Sequence, residues 1–134
     1  MAHDHEIYMI LTDTAVELRD AEALRTYAPQ LERIARRDNH SLYLAIAQRG
    51  LGVGHHLAGE RAEAETRLGE ALALFSKVGA RWQIGRTQFA LGELHRDHSP
   101  AKAREFYLRA LGSFEEIQAA PDMERTRAVL NLLD

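Results

Sequence analysis

Three features of this 134-residue chain are of a type that could do chemistry: seven histidines, the run Arg49-Gly50-Leu51-Gly52-Val53-Gly54, and the triplet Asp97-His98-Ser99. A glycine-rich run cradles phosphate only when a strand precedes it and a helix N-terminus follows. Here apolar helical residues lie on both sides, so the run falls in mid-helix. Close packing of a second helix at Gly52 is the better account. Gly50 and Gly54 each weaken that helix by about 1 kcal/mol against alanine, and a bend there is one outcome. Among the histidines, His55 and His95 are 40 residues apart, with His56 and His98 close by. Zinc needs three or four converging ligands with supporting hydrogen bonds. Helices that pack side by side hold their axes about 10 Å apart. Half-buried imidazoles with polar partners therefore fit His55 and His95 better than ligands do. His3 and His5 fall in a terminus expected to fray. A Ser-His-Asp triad is assembled across a fold, and three consecutive residues cannot form one. Ser99 reads instead as a helix cap, and Asp97 and His98 as an exposed helix end. Glu115-Glu116 and the stretch Glu60 to Glu65 read as solvated faces. No catalytic, cofactor-binding or metal residue is expected.

Composition narrows the partners. Seventeen basic and twenty acidic residues are interspersed to a net charge of −3. No basic stripe of the kind that tracks a phosphate backbone exists, so nucleic acid is not expected. The absence of cysteine excludes disulfides and thiolate chemistry and fits a reducing, cytoplasmic setting. No apolar run approaches the ~18 residues of a membrane span, and the polar start lacks an apolar signal core. With three prolines and no glycine- or serine-rich linker, residues 1–134 read as one domain.

The elements are helical. Ala, Leu, Glu and Arg dominate and period-2 alternation is rare. Apolar spacing predicts seven segments near 5–19, 21–37, 39–57, 60–78, 80–97, 100–118 and 121–133. Asp20 is a predicted N-cap, Gly59 and Gly79 predicted exits, and Ser99-Pro100 a predicted helix start. Pro29 lies inside the second segment and predicts a kink or break. Short connections make successive helices antiparallel neighbours.

The segments nearly repeat. Leu51, Gly52 and His55 recur as Leu91, Gly92 and His95, a shift of 40. Ala64, Leu68, Ala71, Leu72 and Phe75 recur as Ala103, Tyr107, Ala110, Leu111 and Phe114, a shift of 39. One residue is thus lost in the loop between the two blocks. Residues 5–38 follow the same register less faithfully, as a terminal repeat should. Repeats near 5–38, 39–79 and 80–119 with a last helix at 121–133 mark a solenoid of helix pairs.

These small and apolar positions resemble the tetratricopeptide repeat, with Gly59 included in the match. Gln48 and Gln88 stand where its first helix carries an aromatic near the start, and His55 and His95 where one stands near the end. The period of 40 exceeds the standard length of about 34. Longer repeats with tracts such as Gly79-Ala80-Arg81-Trp82-Gln83-Ile84-Gly85 are similar to those in the C-terminal arms of large bacterial transcriptional activators and nucleotide cyclases. The resemblance implies an all-α, right-handed superhelical stack of antiparallel helix hairpins, three pairs plus a C-terminal helix. Leu51, Leu68, Leu72, Leu91, Tyr107 and Leu111 are expected in its core.

Such a stack lines its inner face with the first helix of each pair. The register puts Glu6, Met9, Asp13 and Val16 there, then Ile46, Arg49, Val53 and His56, then Arg86, Phe89, Glu93 and Arg96. The candidate partner-binding set is Arg49, Val53, His56, Arg86, Phe89, Glu93 and Arg96. Its arginines could clamp carboxylates of a protein or peptide, or pair with local acids on an ordinary solvated face. The expected function is a non-catalytic interaction module of bacterial signalling or regulation. The alternative is a domain that senses a peptide or small ligand. The last helix, with Met123, Val129, Leu130 and Leu133 on one side, needs burial. It is expected either to cap its own stack or to meet a second copy in a homodimer.

Overall fold

The structure is a computed structural model that describes residues 4–133. His3 lies outside them. Seven helices follow one another: α1 (Asp4–Leu18), α2 (Ala21–Arg37), α3 (Ser41–Leu57), α4 (Arg61–Val78), α5 (Arg81–His95), α6 (Pro100–Glu116) and α7 (Ala120–Leu133). Among the described residues there is no strand, and no helix is long and apolar enough to cross a membrane. The chain divides into two compact units, Met1–Leu74 and Phe75–Asp134, with the division inside α4.

The turns explain the period. Arg19, Asn39, Gly59, Gly79 and Gln118 all adopt left-handed backbone, with φ between 51° and 80°. After each, an amide reaches back five residues: Asp20 N to Ala15 O (2.9 Å), His40 N to Ala35 O (2.8 Å), Glu60 N to His55 O (2.9 Å), Ala80 N to Phe75 O (3.1 Å) and Ala119 N to Phe114 O (3.0 Å). This closure satisfies carbonyls that a helix end leaves open. The turn between α5 and α6 has no left-handed residue. Ser99 N instead bonds His95 O at 2.8 Å, four residues back. Gly59 therefore has no counterpart in that turn, and the shift falls there from 40 to 39.

The helix starts are mostly as expected. Asp20 Oδ1 accepts from Ala23 N at 3.1 Å. His40 caps α3 by accepting from Tyr43 N at 3.2 Å through Nδ1, at a position the apolar spacing put inside the helix. Ser99 holds the N-cap backbone position without a side-chain bond, and Pro100 follows in the first turn. Contrary to the expected break, α2 runs unbroken through Pro29. Pro29 is exposed, while Ala28 and Leu31 beside it are fully buried and hold the helix against its neighbours. His5 lies in the first turn of α1, its ring 4.9 Å from that of Tyr43, rather than in a frayed end.

One packing device recurs in both units. In α4 the buried stripe is Ala64, Leu68, Ala71 and Phe75, and in α6 it is Ala103, Tyr107, Ala110 and Phe114. Leu68 seats on Gly52 and Tyr107 on Gly92. Leu72 and Leu111 lie at the edges of these stripes and stay half-buried, and so does Leu51, against the expectation of full burial. Leu68, Leu91 and Tyr107 are buried as expected. In the second unit α7 supplies Leu130 to a cluster with Ala103 and Tyr107, and Val129 and Leu133 pack beside it.

The three glycines of α3 differ in kind. A methyl on Gly52 would sit 2.6 Å from Leu68 Cγ and 3.2 Å from its backbone nitrogen. One on Gly54 would meet only Leu24 Cβ, at an ordinary 3.6 Å. Gly54→Ala should therefore raise stability by about 1 kcal/mol through helix propensity. Gly52→Ala should lower it by about 1–3 kcal/mol, because the facing backbone must move. Urea unfolding of the two variants checks the opposite signs, and a gain at Gly52 would contradict this packing.

Candidate interaction surface

The candidate residues fall in both units. In Met1–Leu74, α1 and α3 carry Asp13, Arg49, Val53 and His56. Arg49 is fully buried and its Nη2 donates to Asp13 Oδ1 at 2.8 Å. Val53 is 2% exposed and Ile46 3%, so both belong to the core. His56 is half-exposed, with Nδ1 at 3.2 Å from Arg19 Nη2. Of this set His56 and part of Asp13 reach the surface. Arg49 is buried, its charge matched by Asp13.

A polar cluster holds α2, α3 and α4 together. Gln48, 1% exposed, donates through Nε2 to Glu32 at 3.1 Å and accepts from Arg67 Nη1 at 2.9 Å. Arg67 Nη1 also donates to Glu32 at 2.9 Å, and its Nε to Glu63 at 3.1 Å. Burial pulls the Arg67 guanidinium toward its neutral form, but the Glu63 and Glu32 carboxylates outweigh it and raise its pKa. Buried amides and charges must find partners, which is why Gln48 can replace an aromatic here.

In Phe75–Asp134, Arg86 is 6% exposed, donates to Gln83 Oε1 at 3.0 Å and lies 4.7 Å over the Trp82 ring. Phe89 turns toward α7. It packs on the Tyr107 cluster, and the Arg125 guanidinium lies 4.4 Å over its ring. Glu93 Oε1 accepts a hydrogen bond from the Tyr107 hydroxyl. Arg96 is 36% exposed in its side chain and reaches Glu93 only at 3.9 Å. Trp82 is 46% exposed and donates to Asp122 Oδ2 at 3.1 Å. Arg96 and part of Glu93 are thus what this set shows to solvent, while the exposed Trp82 lies against the buried Arg86.

Each repeat histidine is engaged within its own unit. His55 Nδ1 lies 3.0 Å from Glu60 Oε1, the polar partner expected of a half-buried ring. His95 is 4% exposed and stacks on Phe106 at 5.6 Å. Among the described residues no three His, Asp or Glu side chains converge as a metal would require.

An open cavity of about 310 Å³ lies between α2 and α3, lined mainly by apolar groups of Leu24, Pro29, Leu51 and Gly54, with Arg25, His55 and Glu60 at its edge. Apolar spacing did not point to it. The signals that could have were Gly54, which weakens a helix without a packing need, and Pro29 two helical turns from the α2 start. The exposed Trp82 carries no local signal, because its partner Asp122 is 40 residues away.

Residues 43–116, more than half of the chain, match the family model of the tetratricopeptide repeat. No curated protein and no solved structure matches the chain.

Proposed function

The chain belongs to the tetratricopeptide repeat family, and from that premise we propose that it is a non-catalytic module that holds a protein or peptide partner within a bacterial signalling or regulatory system. The family match over residues 43–116 carries the reading, since such repeats generally mediate protein–protein interaction. The helical surface supports it. Among the described residues, charged side chains such as Arg49 with Asp13 and Arg67 with Glu32 pair between helices and hold them together. In this proposal His56, Glu93 and Arg96 meet the partner, while Arg49, Val53 and Arg86 hold the helices that present them.

Affinity capture with quantitative mass spectrometry tests the proposal. The wild-type chain should retain a protein at near-stoichiometric yield, and His56→Glu with Arg96→Glu should lose most of it. Capture unchanged by those substitutions would remove the residues from the proposal. A purified chain carrying stoichiometric zinc, or turning over substrate, would overturn the non-catalytic reading. The second reading, sensing of a peptide or small ligand, is favoured by the cavity beside Gly54. Ligand-dependent thermal shifts without any captured protein would support it.

A further inference from the structure

We propose that the cavity between α2 and α3 seats one large apolar side chain of a partner peptide, with Arg25 holding the carboxylate of an adjacent acidic residue. The inference rests on the interaction-module reading and names a recognition element separate from His56 and Arg96. The cavity, about 310 Å³, lies at the lower end of ligand-site sizes and has room for one side chain rather than a cofactor. Its walls are apolar, from Leu24, Pro29 and Leu51. Burial of a leucine or phenylalanine there would supply the affinity.

Charge assigns the neighbour. Arg25 is exposed at the edge and has no carboxylate partner among the described residues. A guanidinium in that state binds a carboxylate by paired, charge-assisted hydrogen bonds. Glu60, also at the edge, is held by His55 at 3.0 Å and disfavours a second acid on its own side. The peptide is thereby given one orientation.

Gly54 is the independent observation. Glycine within a helix is unfavourable, and Gly54 lies inside α3, in its last turn. Gly50 and Gly52 are required by contacts with Thr12 and Leu68 at 2.5 and 2.6 Å from an added methyl, whereas Gly54 has room for one at 3.6 Å from Leu24. Packing does not demand glycine at this position, and the residue lines the cavity.

The test uses the full chain and labelled hexapeptides that vary two adjacent positions, Leu, Phe or Ala followed by Glu, Ala or Lys, read by fluorescence polarisation. Peptides with Leu or Phe before Glu should bind best. Gly54→Leu should weaken them by about ten-fold or more by filling the space that the apolar side chain needs. Circular dichroism and the unfolding midpoint report whether that variant folds, and Gly54→Ala, which narrows the cavity without strain, serves if it does not. Arg25→Glu should turn the preference from Glu to Lys. The proposal is overturned if no hexapeptide binds, if the cavity-filling variant binds as the wild type does, or if the flanking charge is without effect. A captured protein that still depends on His56 and Arg96 would then leave the interaction module standing without this cavity.

Discussion

Tyr107→Ala is expected to lower the unfolding free energy by about 3–5 kcal/mol, the range for truncating a buried aromatic. The ring is fully buried and seats on Gly92, where an added methyl would come within 2.7 Å of it. It meets Phe89 edge-on at 5.2 Å and packs with Ala103 and Leu130, so it joins α5, α6 and α7 at one point. Alanine would leave a cavity that three helices border, and a core of this density collapses only in part. Tyr107→Phe separates packing from hydrogen bonding. It keeps the ring and loses the hydroxyl with its bond to Glu93, at a cost of about 1 kcal/mol. Denaturant unfolding of both variants decides the matter. Equal losses for Phe and Ala would mean that the hydroxyl, and not the ring, holds these helices together.

Asp13→Ala should cost about 3 kcal/mol or more, although it removes a small side chain that is 22% exposed. The reason lies in its partner. Arg49 is 1% exposed in its side chain, and loss of the carboxylate leaves its positive charge buried without that counter-ion. Most of the penalty is desolvation that attraction no longer offsets. The double variant Asp13→Ala, Arg49→Met should therefore recover at least half of the loss, because methionine can fill the space without a charge. The four unfolding curves of this cycle give the coupling directly. Strictly additive losses would show that Asp13 acts otherwise than by neutralising Arg49.

Both results turn on residues whose importance the one-dimensional pattern only half displays. Tyr107 was legible as core because it shares the stripe Ala103, Ala110 and Phe114, and that stripe repeats Ala64, Leu68, Ala71 and Phe75 at a fixed offset. Leu72 and Leu111 repeat equally well and yet lie half-buried. Periodicity states that two positions are equivalent. It does not state how far the neighbouring helix reaches across them.

The sequence by itself determined the features that close within a few residues. Helix identity follows from spacing at three and four residues. Helix ends follow from caps such as Asp20 and exits such as Gly59 and Gly79. The lost residue, visible as the change from 40 to 39, marks the one turn between α5 and α6 that omits the left-handed residue. Tertiary structure decided what depends on partners far along the chain. Arg49 was read as a groove arginine, but it is buried on Asp13, 36 residues away. Gln48 owes its place in the core to Glu32 and Arg67, 16 and 19 residues away. Phe89 was placed on an open face, and α7 turns it into a packing residue. Gly50, Gly52 and Gly54 look alike in the sequence, and only the helices laid against α3 distinguish two close contacts from an open cavity. Local rules fail in these cases for one reason. The burial of a charge, or the opening of a cavity, is a property of the surfaces that meet, and no single helix carries both of them.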